Sequence, residues 1–217
     1  MKKILLKVDL VSDVVCPWCI IGYKRLEQAM QTFKDVVTFD LHWHPFELNP
    51  AMPEGGENLR EHLAKKYGTT LAESRAARKR LTAIGAELGF TFNYYDEMRM
   101  YNTFKAHQLL HWAKKYDRQT ELHMQLFSAY FSEQKAVDET QVLLESVAQV
   151  GLESHEAREV LDSGLYANDV RNIETEWIRR GVRAVPAIIF NERNLISGAQ
   201  STAVFKAQIE ELTLALT

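Results

Sequence analysis

The chain has 217 residues, of which 46% are apolar and 25% charged, and its formal net charge is −3. This composition is that of a folded globular protein, and the charge gives no argument for binding nucleic acid or an acidic membrane surface. No stretch is apolar for long enough to span a bilayer, and Lys7 and Asp9 interrupt the first apolar stretch before any signal-peptide cleavage site. We therefore expect a cytoplasmic protein with no membrane association.

The first elements follow one another as strand, helix and strand. Residues 4–11 favour a strand, residues 17–33 have the apolar spacing of a helix, and residues 36–46 are rich in β-branched and aromatic side chains. Two strand segments joined by a helix predict a βαβ unit, in which the two strands run parallel.

Both cysteines of the chain, Cys16 and Cys19, lie at the turn between the first strand and the first helix. Free backbone N–H groups at a helix start stabilise a thiolate, which is the form of cysteine that attacks disulfides. Pro17 suits the first helical position, where no N–H is needed. Because Cys19 is three residues away, it can resolve a mixed disulfide at Cys16. The motif therefore predicts a dithiol that cycles with a disulfide.

Other interpretations of the motif stay open at this point. Trp18 either covers the disulfide or offers apolar surface to a substrate. His42 and His44 alternate on the second strand and so face the same side, and with the two cysteines they would complete a tetrahedral zinc set. Two histidines at that spacing are not usual zinc ligands, so redox chemistry is favoured and no metal is expected.

A long helical segment occupies the middle of the chain. From about residue 51 to 164, apolar residues recur at helical spacing and no convincing strand is present. Thr70 and Glu73 form a capping-box pattern, and Asn102 is placed to cap a later helix. A basic run is interpreted as a solvated helix face and an aromatic stripe as core. The basic run is Arg75, Arg78, Lys79 and Arg80, and the aromatic stripe is Phe127, Tyr130 and Phe131.

Strand signals return near the C-terminal end. A helix is predicted over residues 168–180, and residues 184–190 and 195–197 predict two strands across a short polar turn, which is a β-hairpin. Ser201 then caps a last helix. The two ends of the chain together give the order β-α-β and α-β-β-α, which predicts an α/β fold with a helical insertion.

The order of short motifs along the chain resembles that of a known family. The motifs are residues 12–19, residues 43–50, Asn102-Thr103 with Ala106-His107, Val185-Pro186 and residues 197–200. In this order they resemble the DsbA-like family of the thioredoxin fold, and in particular its FrnE-type cytoplasmic branch. The resemblance implies a discontinuous thioredoxin-like domain over residues 1–50 and 165–217. A large all-helical insertion domain over residues 51–164 interrupts it.

The resemblance also implies an activity, that of a thiol–disulfide oxidoreductase. Cys16 would be the exposed nucleophile and Cys19 the resolving thiol. The Val185–Pro186 bond would be cis, so that both residues lie against the active-site turn and form the substrate groove together with Pro17 and Trp18. The expected partners are proteins or small molecules that contain a thiol or disulfide. No bound cofactor is needed, because the dithiol carries both electrons, and glutathione is a candidate co-substrate.

An alternative activity comes from the same superfamily. It includes glutathione-dependent isomerases acting on 2-hydroxychromene-2-carboxylate and kappa-class glutathione transferases, which generally carry serine at the nucleophile position, whereas this chain keeps both cysteines. From the sequence alone, Asn102 is interpreted as a helix cap and His107 as a helix-face residue. The resemblance to these glutathione-dependent enzymes implies a second interpretation, in which both residues border the cleft and contact glutathione. A zinc-binding module without turnover is a third hypothesis.

Two further expectations concern the surroundings of the motif. The Pro-Trp dipeptide replaces the Pro-His of the periplasmic oxidants, so we expect a less strongly oxidising cysteine pair. Glu47 follows the second strand and is expected to be a solvated loop carboxylate. The alternative for Glu47 is a buried carboxylate near Cys19 that shuttles its proton.

Overall fold

The computed structural model describes residues 3–215. Its strands are β1 (Ile4–Ser12), β2 (Val37–Pro45), β3 (Glu57–Asn58), β4 (Arg99–Met100), β5 (Ala187–Phe190) and β6 (Asn194–Ser197). Its α-helices are α1 (Pro17–Phe33), α2 (Leu59–Tyr67), α3 (Leu71–Glu87), α4 (Phe104–Ala113), α5 (Gln119–Phe127), α6 (Thr140–Gln149), α7 (Ser154–Ser163), α8 (Ala167–Arg179) and α9 (Thr202–Ala215). A 3₁₀ turn (Lys114–Tyr116) precedes α5, and a π-helical turn (Ser128–Ser132) follows it.

The central sheet has four strands in the order β2-β1-β5-β6. Strand β1 runs parallel to β2, with Ile4 opposite Val37, and antiparallel to β5, with Val8 opposite Phe190. The predicted βαβ unit and C-terminal hairpin are thus confirmed. The hairpin's first strand begins three residues later than predicted, because Pro186 has no N–H to give to a ladder and follows a cis bond.

Helices cover both faces of this sheet. On one face, alternate residues of β1 such as Leu6 and Val8 pack with Leu26 of α1 and Phe205 of α9. On the other face, Val11 packs with Trp177 of α8. The two-residue alternation of strand side chains explains why β1, which is central, is apolar over most of its length. These features confirm the predicted α/β fold.

The helical segment has its own core, which continues onto the active-site turn. The aromatic stripe lies in this core, as predicted, together with Leu109 and Trp112, and Cys16 and Cys19 belong to the same cluster. The predicted division into two domains at residues 50 and 165 stays a prediction, because the helical segment packs directly onto the start of α1.

Local signals within the helical segment are mostly confirmed. Thr70 and Glu73 form the capping box that opens α3. The expectation of no strand is wrong, since β3 and β4 pair antiparallel as two-residue strands. Their sequences, Glu-Asn and Arg-Met, have little strand propensity, so the pairing depends on the surrounding tertiary structure. No helix within residues 3–215 combines the length and apolar character needed to cross a membrane.

Candidate active site

The cysteine pair lies where β1 passes into α1, at the central strand of the sheet. Cys16 is the N-cap of α1 with an extended backbone, and Pro17 occupies the first helical turn, as predicted. The Cys16 N–H donates to the Asp13 carbonyl at 3.0 Å, and the Cys19 N–H donates to the Cys16 carbonyl at 3.1 Å. These bonds fix a tight turn that holds Cys16 beside the positive end of the α1 dipole. Both cysteines are free thiols.

The two sulfurs have different surroundings. Cys19 is 1% exposed, and burial raises its pKa well above the usual range, with a further increase from Cys16. The Asp13 backbone and the Ser12 side chain have the smaller, opposite effect on the Cys19 pKa. Cys16, in contrast, lines a cavity of about 650 Å³, and Cys19 is not among the described residues that line it. The cavity therefore gives access to Cys16.

The expectation that Cys16 is exposed is wrong. Its exposed fraction is 4%, because the helical segment packs over the start of α1 and covers the turn. A reactant reaches Cys16 through the cavity rather than across an open surface. The expectation came from the resemblance, and the motif itself carries no signal for how closely an inserted segment covers it.

The Val185–Pro186 bond is cis, as the resemblance implied. The Val185 carbonyl oxygen lies 3.9 Å from Cys16 Sγ, and Val185 lines the cavity. Pro186 is buried against α1, where a Cβ on Gly22 would lie 3.0 Å from Pro186 Cγ. Glycine at position 22 therefore allows the close approach of α1 to this segment.

Trp18 lines the mouth of the cavity and is 38% exposed. The Arg80 guanidinium lies 6.0 Å from the centre of its ring, within the range of a cation–π contact. Trp18 therefore presents an apolar surface beside the reactive turn. Pro17 lines the cavity as well, so both inner residues of the motif are available to a bound molecule.

The basic run on α3 was expected to be a solvated helix face, and this is only partly correct. Arg75, Lys79 and Arg80 are exposed, but Arg78 is half-buried and lines the cavity. Its guanidinium donates to the Tyr95 carbonyl at 3.2 Å and lies 3.5 Å from Asp96. These partners lie in the loop that follows α3, and the charge pattern of α3 does not predict the contact.

Glu47 also differs from its expectation, because it is buried rather than solvated. Its exposed fraction is 8%, and it pairs with Arg171 of α8, which also lies 3.0 Å from Glu174. Burial raises the pKa of Glu47 to about 7, and Glu174 adds to the increase while Arg171 opposes it. Glu47 lines the cavity. No local pattern predicts this pair, since Arg171 is 124 residues further along the chain.

Asn102 and His107 are not among the described residues that line the cavity. The N-cap of α4 is Thr103 rather than Asn102, but Asn102 Oδ1 accepts from the Phe104 N–H at 2.9 Å and so satisfies the first N–H of the helix. His107 Nε2 lies 3.2 Å from the Phe46 carbonyl oxygen and 3.5 Å from Asp13 Oδ1. Burial lowers the pKa of His107, but Asp13 outweighs this effect and leaves it raised. Their predicted contacts with glutathione stay predictions.

A second buried histidine, His123, was not singled out in the sequence. Its Nε2 lies 3.1 Å from Ser12 Oγ, and its ring stacks on Trp43 with 4.1 Å between centroids. Burial lowers its pKa well below the usual range, so the imidazole is neutral. Ser12 thereby links His123 to the surroundings of Cys19. The residues are 111 positions apart in the chain, and a lone histidine on an apolar helix gives no signal of such a contact.

The histidines of the zinc hypothesis are paired with carboxylates instead. His42 lies 2.8 Å from Asp40, and His44 lies 2.7 Å from Asp9. Over residues 3–215, no three His, Cys, Asp or Glu side chains are grouped so that they could hold a metal ion. The arrangement gives the zinc interpretation no support.

Comparison with known proteins decides the family. Residues 7–210 match the family described as DSBA-like thioredoxin domain. The chain belongs to this family. The recognition made from the ordered motifs is thus confirmed, and membership supports thiol–disulfide redox chemistry at the site.

Relatives of this DsbA-like chain support the same assignment. It is 26% identical over 205 residues to the uncharacterized protein YwbO of Bacillus subtilis (strain 168), which covers 94% of this chain and 96% of YwbO. A crystal structure described as a probable DsbA oxidoreductase from Streptomyces coelicolor is 30% identical, with a TM-score of 0.89 over 95% of this chain and 89% of that one.

Two more distant structures share the fold. A 2-hydroxychromene-2-carboxylate isomerase is 14% identical, with a TM-score of 0.70 over 95% of each chain. The cytosolic disulfide reductase DsbM from Pseudomonas aeruginosa, in a structure with GSH, is 17% identical, with a TM-score of 0.64 over 95% of this chain and 98% of that one. At these identities the likeness concerns the fold alone.

Proposed function

We propose that the protein is a cytoplasmic thiol–disulfide oxidoreductase of the FrnE type that works through a mixed disulfide at Cys16. The observation that carries the proposal is the asymmetry of the pair. Cys16 lines a cavity at a helix N-terminus, while Cys19 lies behind it, buried and with a raised pKa. One reachable sulfur and one shielded sulfur are what attack and resolution require.

The proposed reaction passes two electrons from the dithiol to a disulfide. The Cys16 thiolate attacks one sulfur of R–S–S–R, a Cys16–S–S–R bond forms, and R–S⁻ leaves. Cys19 then loses its proton and attacks Cys16 Sγ, which releases the second R–S⁻ and closes the Cys16–Cys19 disulfide. The two leaving thiolates take up the two protons that the dithiol gave up. The reverse sequence oxidises a pair of substrate thiols.

The electrostatics of the pair suit this order of events. Cys16 is one of the causes of the raised Cys19 pKa. When Cys16 enters a mixed disulfide, its sulfur can no longer carry negative charge. The pKa of Cys19 then falls, so that Cys19 becomes reactive at the stage where it is needed.

Glutathione is the proposed small-molecule partner that reduces the Cys16–Cys19 disulfide back to the dithiol. The support is the shared fold of DsbM, which was solved with GSH, and the size of the cavity beside Cys16. A glutathione thiolate would attack the Cys16–Cys19 disulfide at Cys16, and a second would release oxidised glutathione and restore the dithiol. A less oxidising potential than that of the periplasmic oxidants stays a prediction from the Pro-Trp dipeptide.

The isomerase activity of the superfamily is the alternative, and it makes no use of a second cysteine. The position of Cys19 directly behind Cys16 favours redox chemistry over that alternative. Glutathione-dependent isomerisation that persists in Cys19→Ser would reverse this preference.

The test is equilibration in buffers of varied reduced and oxidised glutathione, followed by alkylation and intact-mass measurement. We expect two thiols to disappear together at one midpoint, with Cys19→Ser as the control that stops at a glutathione adduct. Loss of the two thiols independently, or no loss over the whole range, would contradict the proposed function.

A further inference from the structure

The cavity beside Cys16 has the dimensions of a small-molecule site. Its volume of about 650 Å³ lies within the range of about 300–1,000 Å³ found for pockets that enclose drug-sized ligands. Cys16 is itself buried, so a substrate sulfur has to enter the cavity to meet it. A disulfide on the surface of a folded protein would need a protruding segment to bring its sulfur into the cavity. A small disulfide would not.

The wall that faces the sulfur is apolar and aromatic. It includes Leu81, Tyr94, Tyr130 and Phe131. The Tyr94 ring is parallel to that of Phe92 within 6°, at 5.6 Å between centroids, and Phe131 meets it edge-on at 6.2 Å. The parallel contact with Phe92 and the edge-on contact with Phe131 hold the Tyr94 ring in place, which gives the cavity a preformed aromatic wall. Such a wall favours a planar apolar group in the ligand.

Three buried polar atoms of the cavity residues have no hydrogen-bond partner within the described chain. They are the Tyr94 hydroxyl, Thr69 Oγ1 and Glu47 Oε2. Buried polar groups are normally paired, so we expect these side chains, which line the cavity, to turn toward polar atoms of a bound ligand. The Tyr94 hydroxyl also lies in the field of Cys16: burial raises the Tyr94 pKa, and Cys16 adds to the increase. A ligand sulfur on Cys16 would therefore lie within the influence of this hydroxyl.

The charged groups at the cavity are largely occupied by protein partners. Arg78 contacts Asp96, and Lys66 donates to the Leu48 carbonyl at 2.9 Å and to Asn49 Oδ1 at 2.7 Å. Glu73 is engaged in the capping box of α3. The neutral partners of Lys66 hold its ammonium in place without cancelling its charge, so the cavity has charged groups beside its apolar wall.

From these observations we propose that the cavity binds a small-molecule disulfide or thiol with an aromatic body, and that this class is the preferred substrate over disulfides of folded proteins. The inference rests on the proposed function and narrows it to a substrate class. In each turnover the substrate disulfide is reduced to two thiols while Cys16 and Cys19 are oxidised to a disulfide, or the reverse.

The test compares three disulfides with the reduced full-length protein. The probes are 4,4′-dipyridyl disulfide, oxidised glutathione and insulin, and each rate is divided by the rate of the same disulfide with dithiothreitol to remove differences in leaving-group reactivity. We expect the normalised rate to be at least about tenfold higher for the aromatic disulfide than for the other two. Equal normalised rates, or a preference for insulin, would overturn the proposal.

A matched pair of variants locates the selectivity in the cavity. Ala76 and Ala77 are adjacent exposed residues of α3, and of the two Ala77 lines the cavity. Ala77→Trp should lower the normalised rate with the aromatic disulfide by about tenfold, whereas Ala76→Trp should change it by less than about twofold. Equal effects of both variants would contradict the proposed site.

A second variant keeps the proposal testable if Ala77→Trp folds poorly. Tyr94→Phe removes the unpaired hydroxyl and retains the stacked ring, so we expect it to fold and to lower the normalised rate with 4,4′-dipyridyl disulfide by about three- to tenfold. An unchanged rate would exclude the hydroxyl from binding. Titration with glutathione distinguishes failure of the proposed function from failure of this inference. If the two thiols show no common midpoint, the proposed function is wrong. If the midpoint is present but the aromatic disulfide is not preferred, only this inference is wrong.

Discussion

The sheet and the helical segment contribute differently to the site. The sheet part, residues 4–45 and 187–215, places Cys16 and Cys19 at the end of its central strand and holds them against the cis bond at Pro186. The helical part, residues 59–163, supplies most of the residues around the cavity that leads to Cys16. The reactivity of the cysteine pair therefore depends mainly on the sheet part, and the access of substrates to Cys16 depends mainly on the helical part. Substitutions in one part should change one of these properties and leave the other unchanged.

The largest expected effect compares one buried phenylalanine from each part. Phe205 of α9 lies in the sheet core, and Phe131 lies in the helical core and lines the cavity. Phe205→Ala and Phe131→Ala should each lower the free energy of unfolding by about 3–5 kcal/mol, because each leaves a cavity in a packed core. Urea denaturation measures both losses.

The same two variants differ in their expected effect on reactivity. Phe131→Ala reshapes the cavity wall and should change the rate with an aromatic disulfide by about tenfold, while Phe205→Ala should leave that rate within about twofold at a temperature where both are folded. If Phe205→Ala alters the rate as much as Phe131→Ala does, the division between reactivity and access is wrong.

A smaller effect concerns Glu47, which follows β2 and pairs with Arg171 of α8. The pKa of Glu47 is about 7 in the folded protein and has an ordinary value of 4.5. Between these two values the folded protein holds a proton that the unfolded chain has lost, so the free energy of unfolding falls as pH rises through this window. The fall should be on the order of 2 kcal/mol.

Glu47→Gln is the control for this pH effect, since the amide has no proton to lose and Arg171 keeps Glu174 as a partner. Urea denaturation of both proteins at about pH 5 and about pH 8 gives the comparison. We expect the stability of the wild type relative to the variant to be lower at the higher pH. A constant difference across the window would show that the pKa of Glu47 is not raised.

The smallest effect is a test of the helical part alone. Thr70→Ala removes the N-terminal cap of α3, because Thr70 Oγ1 accepts from the Glu73 N–H at 3.3 Å. The loss should be about 1 kcal/mol of unfolding free energy, with the glutathione midpoint unchanged. A shifted midpoint would show that the redox equilibrium of the cysteine pair depends on the stability of the helical part.

Features carried by local sequence were predictable. The strand before Cys16, the proline that opens α1, the capping box at Thr70 and the C-terminal hairpin all depend on residues near one another in the chain, and each agrees with the structure. The ordered motifs then identified the family, and with it the cis bond before Pro186.

Features that depend on distant partners were not predictable from the pattern. The burial of Cys16 depends on how the helical segment packs over it, and the burial of Glu47 depends on Arg171 from α8. The contact between Ser12 and His123 likewise joins β1 to α5. Neither periodicity nor spacing predicts these contacts, since each is set by the tertiary packing of elements that are distant in the chain, by more than a hundred residues for the Glu47 and Ser12 contacts.

Trapping of the mixed disulfide shows most directly whether Cys16 attacks the substrate and Cys19 resolves the intermediate. Reduced Cys19→Ser and Cys16→Ser proteins are each treated with 4,4′-dipyridyl disulfide, and adducts are located by peptide mass spectrometry. We predict a stable adduct on Cys16 in Cys19→Ser, adduct formation at least about a hundredfold slower in Cys16→Ser, and complete closure to the internal disulfide in the wild type. Equally fast adduct formation on Cys19 in Cys16→Ser would contradict these roles.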